Sequence, residues 1–131
     1  MTRRTCFVVV AAAPFLGAQD PGARVAADRW LALVDQGKYK DAWKQTSQFH
    51  KPQITGDEWQ AQIRSMRGAV GAVKERKFTT ARTSKELPGA PDGDYTILEF
   101  STAFEKKAKA VEILVLSREG NSWRQAGYSI S

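Results

Sequence analysis

The chain has 131 residues, with 20 Lys and Arg against 14 Asp and Glu and single copies of Cys and His. That length fits one domain, and a composition 42% hydrophobic and 26% charged is globular, excluding a disordered tail or a disulfide scaffold. One His and one Cys also exclude most metal and thiol chemistry at the outset.

The first segment reads as an address. Arg3 and Arg4 precede an apolar run from Cys6 to Leu16, closed by the small pair Gly17-Ala18, which is the layout of a Sec-type signal peptide. The run is short of the roughly 20 residues of a spanning helix, so no membrane span is expected. Val8-Val9-Val10 and Pro14 also suit a buried helix poorly. Cleavage is expected after Ala18, with Ala13 as the alternative. The arginine pair fits a twin-arginine signal as well, although such pairs are common in n-regions. Residues 19–131 then form the working domain, periplasmic or secreted. Losing the leader removes Cys6, Arg3 and Arg4, which lowers the formal net charge from +6 to +4. A chain without cysteine cannot mispair in an oxidising compartment.

Asp20-Pro21 opens a helix with an acidic cap and Pro in the first turn. Ala26, Trp30 and Leu33, flanked by Ala27, Leu31 and Val34, form a wide apolar stripe that Gly37 ends. A second short helix places Tyr39, Ala42, Trp43 and Thr46 on one side, and Pro52 breaks the chain. Thr55-Gly56-Asp57-Glu58 has capping-box spacing, followed by a stripe of Trp59, Ile63, Met66 and Val70, with Gly68 and Gly71 closing the helix. The period then changes to 2. Residues 73–86 read as a half-exposed strand and Leu87 to Gly93 as a dense turn. Tyr95 to Phe104 reads as a strand with Thr96, Leu98, Phe100, Thr102 and Phe104 on one face. Glu105 to Lys109 reads as a charged connection and Ala110 to Leu116 as a third strand. Gly120-Asn121 forms a hairpin turn into a fourth strand, Trp123 to Ile130. The expected fold is α+β: three N-terminal helices packed on a four-stranded antiparallel meander sheet.

The third strand is apolar on both faces: Val111, Ile113 and Val115 on one, Leu114 and Leu116 on the other. A sheet with one wet face should alternate cleanly. This fits either a central strand covered by its own helices or a face that meets a homodimer partner or a small apolar ligand.

The chemistry is sparse. His50, in a Pro-containing connector, has no ligand cluster around it and is expected to be a solvent-exposed loop residue, so no metal is called for. Ser47 is its nearest serine, but no nucleophile elbow is present, nor any phosphate-binding or dinucleotide fingerprint, so no cofactor is expected. The basic residues are spread, with Lys74, Arg76 and Lys77 densest and Lys106, Lys107 and Lys109 at a turn. The aromatics lie on apolar stripes rather than between basic residues, which argues against nucleic acid. Anionic lipid headgroups or cell-wall polymers stay open as weak partners. The remaining candidates are carboxylates and tyrosines. Glu112 lies on the Leu114 face and Glu99 on the Tyr95 face, with Tyr95 and Tyr128 as hydroxyl partners. Each carboxylate is either a proton shuttle in an apolar pocket or one half of a cross-strand ion pair.

Three stretches carry a resemblance. They are Trp30 to Asp35 with Gly37-Lys38-Tyr39 and Trp43, Leu87 to Tyr95 including Pro88-Gly89-Ala90-Pro91-Asp92-Gly93, and Trp123-Arg124 with Gly127-Tyr128. Together with Phe104 and Val111-Glu112 they resemble the bacterial domain-of-unknown-function family 4019, small exported proteins, over roughly residues 25–131. Gln125 and Ser129 depart from its pattern. The resemblance brings no assigned activity. Its element order is similar to the NTF2-like, or cystatin-like, cone folds, which host binding modules, dimerisation domains and some isomerases. Two readings follow. One is an exported non-enzymatic binding or interaction domain. The other is a small enzyme that transfers protons with a pocket carboxylate and a tyrosine, in the manner of ketosteroid isomerases.

Overall fold

The computed structural model describes residues 21–131; the expected leader and the Asp20 cap lie outside them. Helix α1 spans Pro21–Asp35. It buries Ala23, Ala27, Trp30, Leu31 and Val34, which fall at i, i+4, i+7, i+8 and i+11, a single helical face. It ends in a Schellman turn: Lys38 N–H bonds Leu33 O, Gly37 N–H bonds Val34 O, and Gly37 takes the left-handed φ of 75° that this turn requires. Helix α2, Tyr39–Lys44, is two turns long. A 3-10 turn at Lys51–Gln53 holds Pro52.

Helix α3, Gly56–Val70, starts at the expected capping box. Thr55 Oγ1 accepts from Glu58 N–H, and Thr55 N–H donates to the Glu58 carboxylate. Two expectations fail along it. Gly68 lies inside the helix, which ends at Val70 with Gly71 as its cap. The buried stripe is Trp59, Ile63, Arg67 and Val70, while Met66 is only half-buried. Helical geometry favours i+8 over i+7 for this face, and Arg67 is tolerated inside because Asp35 meets its charge at 2.9 Å.

Strands β1 (Val73–Ser84), β2 (Tyr95–Phe104), β3 (Lys107–Glu119) and β4 (Ser122–Ile130) form one antiparallel meander in chain order. β3 is longer than expected, because Lys107 pairs with Phe104 and leaves only Glu105 and Lys106 as the turn. The charged residues there stay in the ladder because both faces of this end are open to solvent. Register breaks in all three strand pairs curve the sheet.

The concave face carries Thr96, Leu98, Phe100, Thr102 and Phe104 of β2 beside Ala110, Glu112, Leu114 and Leu116 of β3, all buried. The α1 stripe, Trp59 and Ile63 pack onto it. Val111, Ile113 and Val115 occupy the convex face, half-exposed. Trp30 stands at the centre, edge-on to Tyr128 at 5.0 Å and to Trp59 at 6.3 Å between ring centroids. Among the described residues no helix is long and apolar enough to cross a membrane.

Candidate functional site

The parity of β3 turns Glu112 into the core, where it is fully buried between Phe100 on β2 and Ile130 on β4. A buried carboxylate needs compensation, and here every acceptor position is used. Oε1 accepts from Arg76 Nε at 2.7 Å and from Thr102 Oγ1 at 2.6 Å. Oε2 accepts from Arg76 Nη2 at 3.1 Å and from the Tyr128 hydroxyl. The other edge of the Arg76 guanidinium grips Asp35 through Nη1 and Nη2, at 2.8 and 3.1 Å. Arg67 Nη2 joins from α3, 2.9 Å from Asp35 Oδ1. Its Nε and Nη1 have no acceptor among the described residues; the Phe104 ring lies 5.2 Å from the guanidinium carbon. Two arginines thus balance two carboxylates, and the cluster ties α1, α3 and all four strands together.

The protonation states follow from this geometry. Burial alone would depress the Arg76 guanidinium, but its hydrogen bonds to Asp35 and Glu112 and their charges outweigh that and raise it. Burial pushes the Tyr128 hydroxyl far above the usual tyrosine range, and the charge and hydrogen bond of Glu112 add to the effect. Tyr128 is therefore a fixed neutral donor.

Of the four candidate residues, the structure brings Glu112 and Tyr128 into contact and keeps the other two apart. Glu99 lies on the convex face, opposite Thr80 and Ile113. Tyr95 is buried at the far end of β2, where its hydroxyl donates to Pro91 O. A carboxylate whose lone pairs are all engaged cannot take a substrate proton without losing a partner, so the geometry casts Glu112 as an anchor.

His50 departs from the expectation of a solvent-exposed loop residue. It is half-buried, and its Nε2 meets Ala126 O. A carbonyl only accepts, so Nε2 carries the proton. Nearby, the buried Ser47 hydroxyl donates to Glu119 Oε2, and Gln48 N–H donates to Oε1. These bonds fasten the connector after α2 to the β3–β4 hairpin. No local pattern marks them, since His50 and Ala126 are 76 positions apart.

A concavity lies elsewhere, between α1 and the β3–β4 hairpin. It measures about 420 Å³, with walls from Val25, Ala26, Trp30, Leu116 and Trp123 and polar groups from Arg29, Gln45, Asn121, Ser122 and Gln125. Aromatic and aliphatic walls with a few amides are the usual make-up of a small-molecule site of this size. Val25, 54% exposed, stands at its edge as the exposed large hydrophobic residue among those described. Sequence reasoning missed this cavity because it joins residues from both ends of the domain. The one trace was Gln125, which departs from the family pattern. It is buried, and its amide donates to Thr46 Oγ1 at 3.3 Å. Among the described residues no cluster of His, Cys, Asp and Glu could hold a metal ion.

No curated protein matches the sequence. Among solved structures, the chain is similar to Aln2 from a Streptomyces species, determined at 1.8 Å, with 11% identity, 86% of this chain and 92% of that one covered, and a TM-score of 0.48. The family model for a protein of unknown function, DUF4019, matches residues 26–128, and the chain belongs to that family.

Proposed function

We propose that this is a non-enzymatic binding domain, exported through its N-terminal leader, that holds a small uncharged amphipathic molecule in the cavity between α1 and the β3–β4 hairpin. The observation that carries the reading is that cavity: about 420 Å³, apolar on its walls and furnished with amide groups. Trp30 forms one wall and offers an aromatic surface to the guest. Arg29 is the charged residue of the lining; exposed at the middle of α1, it can stay solvated over a neutral guest. The saturated partners of Glu112 support the non-enzymatic half of the reading. A helical layer on a curved antiparallel sheet is also the arrangement of NTF2-like binding modules, by fold analogy.

The test is titration with N-phenyl-1-naphthylamine, a neutral fluorescent amphiphile. Expected are saturable emission and quenching of tryptophan fluorescence, since Trp30 and Trp123 line the site. Ala26→Phe fills the cavity and should weaken binding at least about tenfold while leaving the melting temperature near that of the parent. Probe binding that is absent, or unchanged in Ala26→Phe, refutes the reading. N-terminal sequencing of the protein recovered from a bacterial periplasm tests export: a chain that still begins at Met1 counts against it.

A further inference from the structure

The net charge of the domain is gathered at one end of the sheet. The described residues hold 18 Lys and Arg and 13 Asp and Glu, five net positive charges. Lys74, Lys77, Lys106, Lys107 and Lys109, set against Glu75 and Glu105, place three of those five at the start of β1 and the β2–β3 turn. Pairing brings them together: Lys107 faces Phe104, which faces Val73, and Lys106 N–H bonds Val70 O. With strands about 4.8 Å apart, three neighbouring strand ends fit within roughly one Debye length at 0.1 M salt. All five lysines are exposed. Lys77 leans toward Glu75 at 3.9 Å, while Lys74, Lys106, Lys107 and Lys109 make no ion pair among the described residues. Arg76, the other cation of this stretch, points inward and is neutralised by Asp35 and Glu112.

We propose that this lysine-tipped end docks the domain on an anionic phospholipid surface. Lysines are compact point charges that attract a diffuse negative surface without demanding a fixed phosphate geometry, unlike arginine forks. Among the described residues no exposed aromatic stands at the tip to stack on bases, which nucleic acid would use. Nor does an exposed apolar wedge among the described residues, since Val25 belongs to the opposite end. The docking is therefore electrostatic and reversible. Its geometry also leaves the ligand cavity free: the tip starts β3 at Lys107, and the cavity meets that strand at Leu116, nine residues and about 30 Å along it.

The test is co-sedimentation of the full chain with phosphatidylcholine vesicles, alone and with about 30% phosphatidylglycerol, at low and high salt. The expected result is binding to the anionic vesicles only, lost as salt screens the tip. At about fivefold per lysine, Lys106→Ala with Lys107→Ala weakens binding about 25-fold. Arg82→Ala with Lys85→Ala, exposed residues at and just past the opposite end of β1, leaves binding unchanged. Equal loss in both pairs, binding to neutral vesicles, or retention on heparin without vesicle binding overturns the proposal. Naphthylamine binding is read separately, so failure of one proposal leaves the other standing.

Discussion

Replacing Arg76 by Met tests whether the buried polar cluster organises the fold. The side chain is similar in length and apolar, so the loss is mainly electrostatic. Glu112, 0% exposed, loses the donors at 2.7 and 3.1 Å and keeps only Thr102 and Tyr128. Asp35 loses two donors as well, but at 28% exposure it can turn to water and still holds Arg67. The penalty therefore falls on Glu112, and removing one partner of a buried ion pair costs about 3–5 kcal/mol. A domain of this size has roughly 5–15 kcal/mol in all, and each kcal/mol moves the melting temperature by about 4 °C or more. Arg76→Met should thus lower the midpoint of a circular-dichroism melt by at least about 12 °C. Adding Glu112→Leu should recover part of the loss, because no buried charge is then uncompensated. Recovery stops short of the parent, because the Thr102 and Tyr128 hydroxyls lose their acceptor. A shift below about 4 °C in Arg76→Met would mean that Glu112 is solvated or neutral, and the reasoning would be wrong.

Other substitutions follow from the same geometry. Thr55→Ala removes the capping box of α3 and should cost about 1 kcal/mol in urea unfolding. Gly68→Ala should stabilise by about 0.5–1 kcal/mol, since it lies within the helix and a Cβ there meets nothing within 4 Å. Gly56→Ala should destabilise instead, because its Cβ would stand 2.8 Å from Trp43 Nε1; equal effects at the two glycines would refute the packing argument. Tyr128 sets an alkaline limit. Its raised folded-state pKa means that the unfolded chain releases this proton first, so its contribution is intact below about pH 10 and fades as pH rises beyond. Absorbance at 295 nm should show Tyr128 ionising only as the protein unfolds, with Tyr128→Phe as the control.

What could be read from the sequence was what lies within one element. The capping box, the strand order and the inward turn of Glu112 each follow from spacing along a single helix or strand, and each is present. The errors share a cause. Met66 and Arg67 are adjacent, and periodicity alone prefers the apolar one. What decides is Asp35 of another helix, 2.9 Å from Arg67. The partner of Glu112 was foreseen in kind, as an arginine or lysine, but not as Arg76, which is two strands away and also bound to Asp35. His50 and the cavity were missed for the same reason.

This separation bears on where ligand specificity is set. The residues that carry the family resemblance mostly build the interior and its closures. Phe104, Glu112 and Tyr128 belong to the buried cluster or its walls, while Pro91 accepts from Tyr95, and Gly93 N–H donates to Lys85 O to close the β1–β2 connection. Of the cavity wall, Trp30 and Trp123 belong to that set; Val25, Arg29, Asn121 and Ser122 do not. The latter four stand on a helix and in a hairpin turn, where a side chain can change without disturbing the polar cluster. Substitution there, for example Arg29→Glu or Asn121→Leu, should alter which probe is bound while leaving the melting temperature within about 2–4 °C of the parent. A large loss of stability from either would place the cavity mouth among the structural elements and remove it as a seat of specificity.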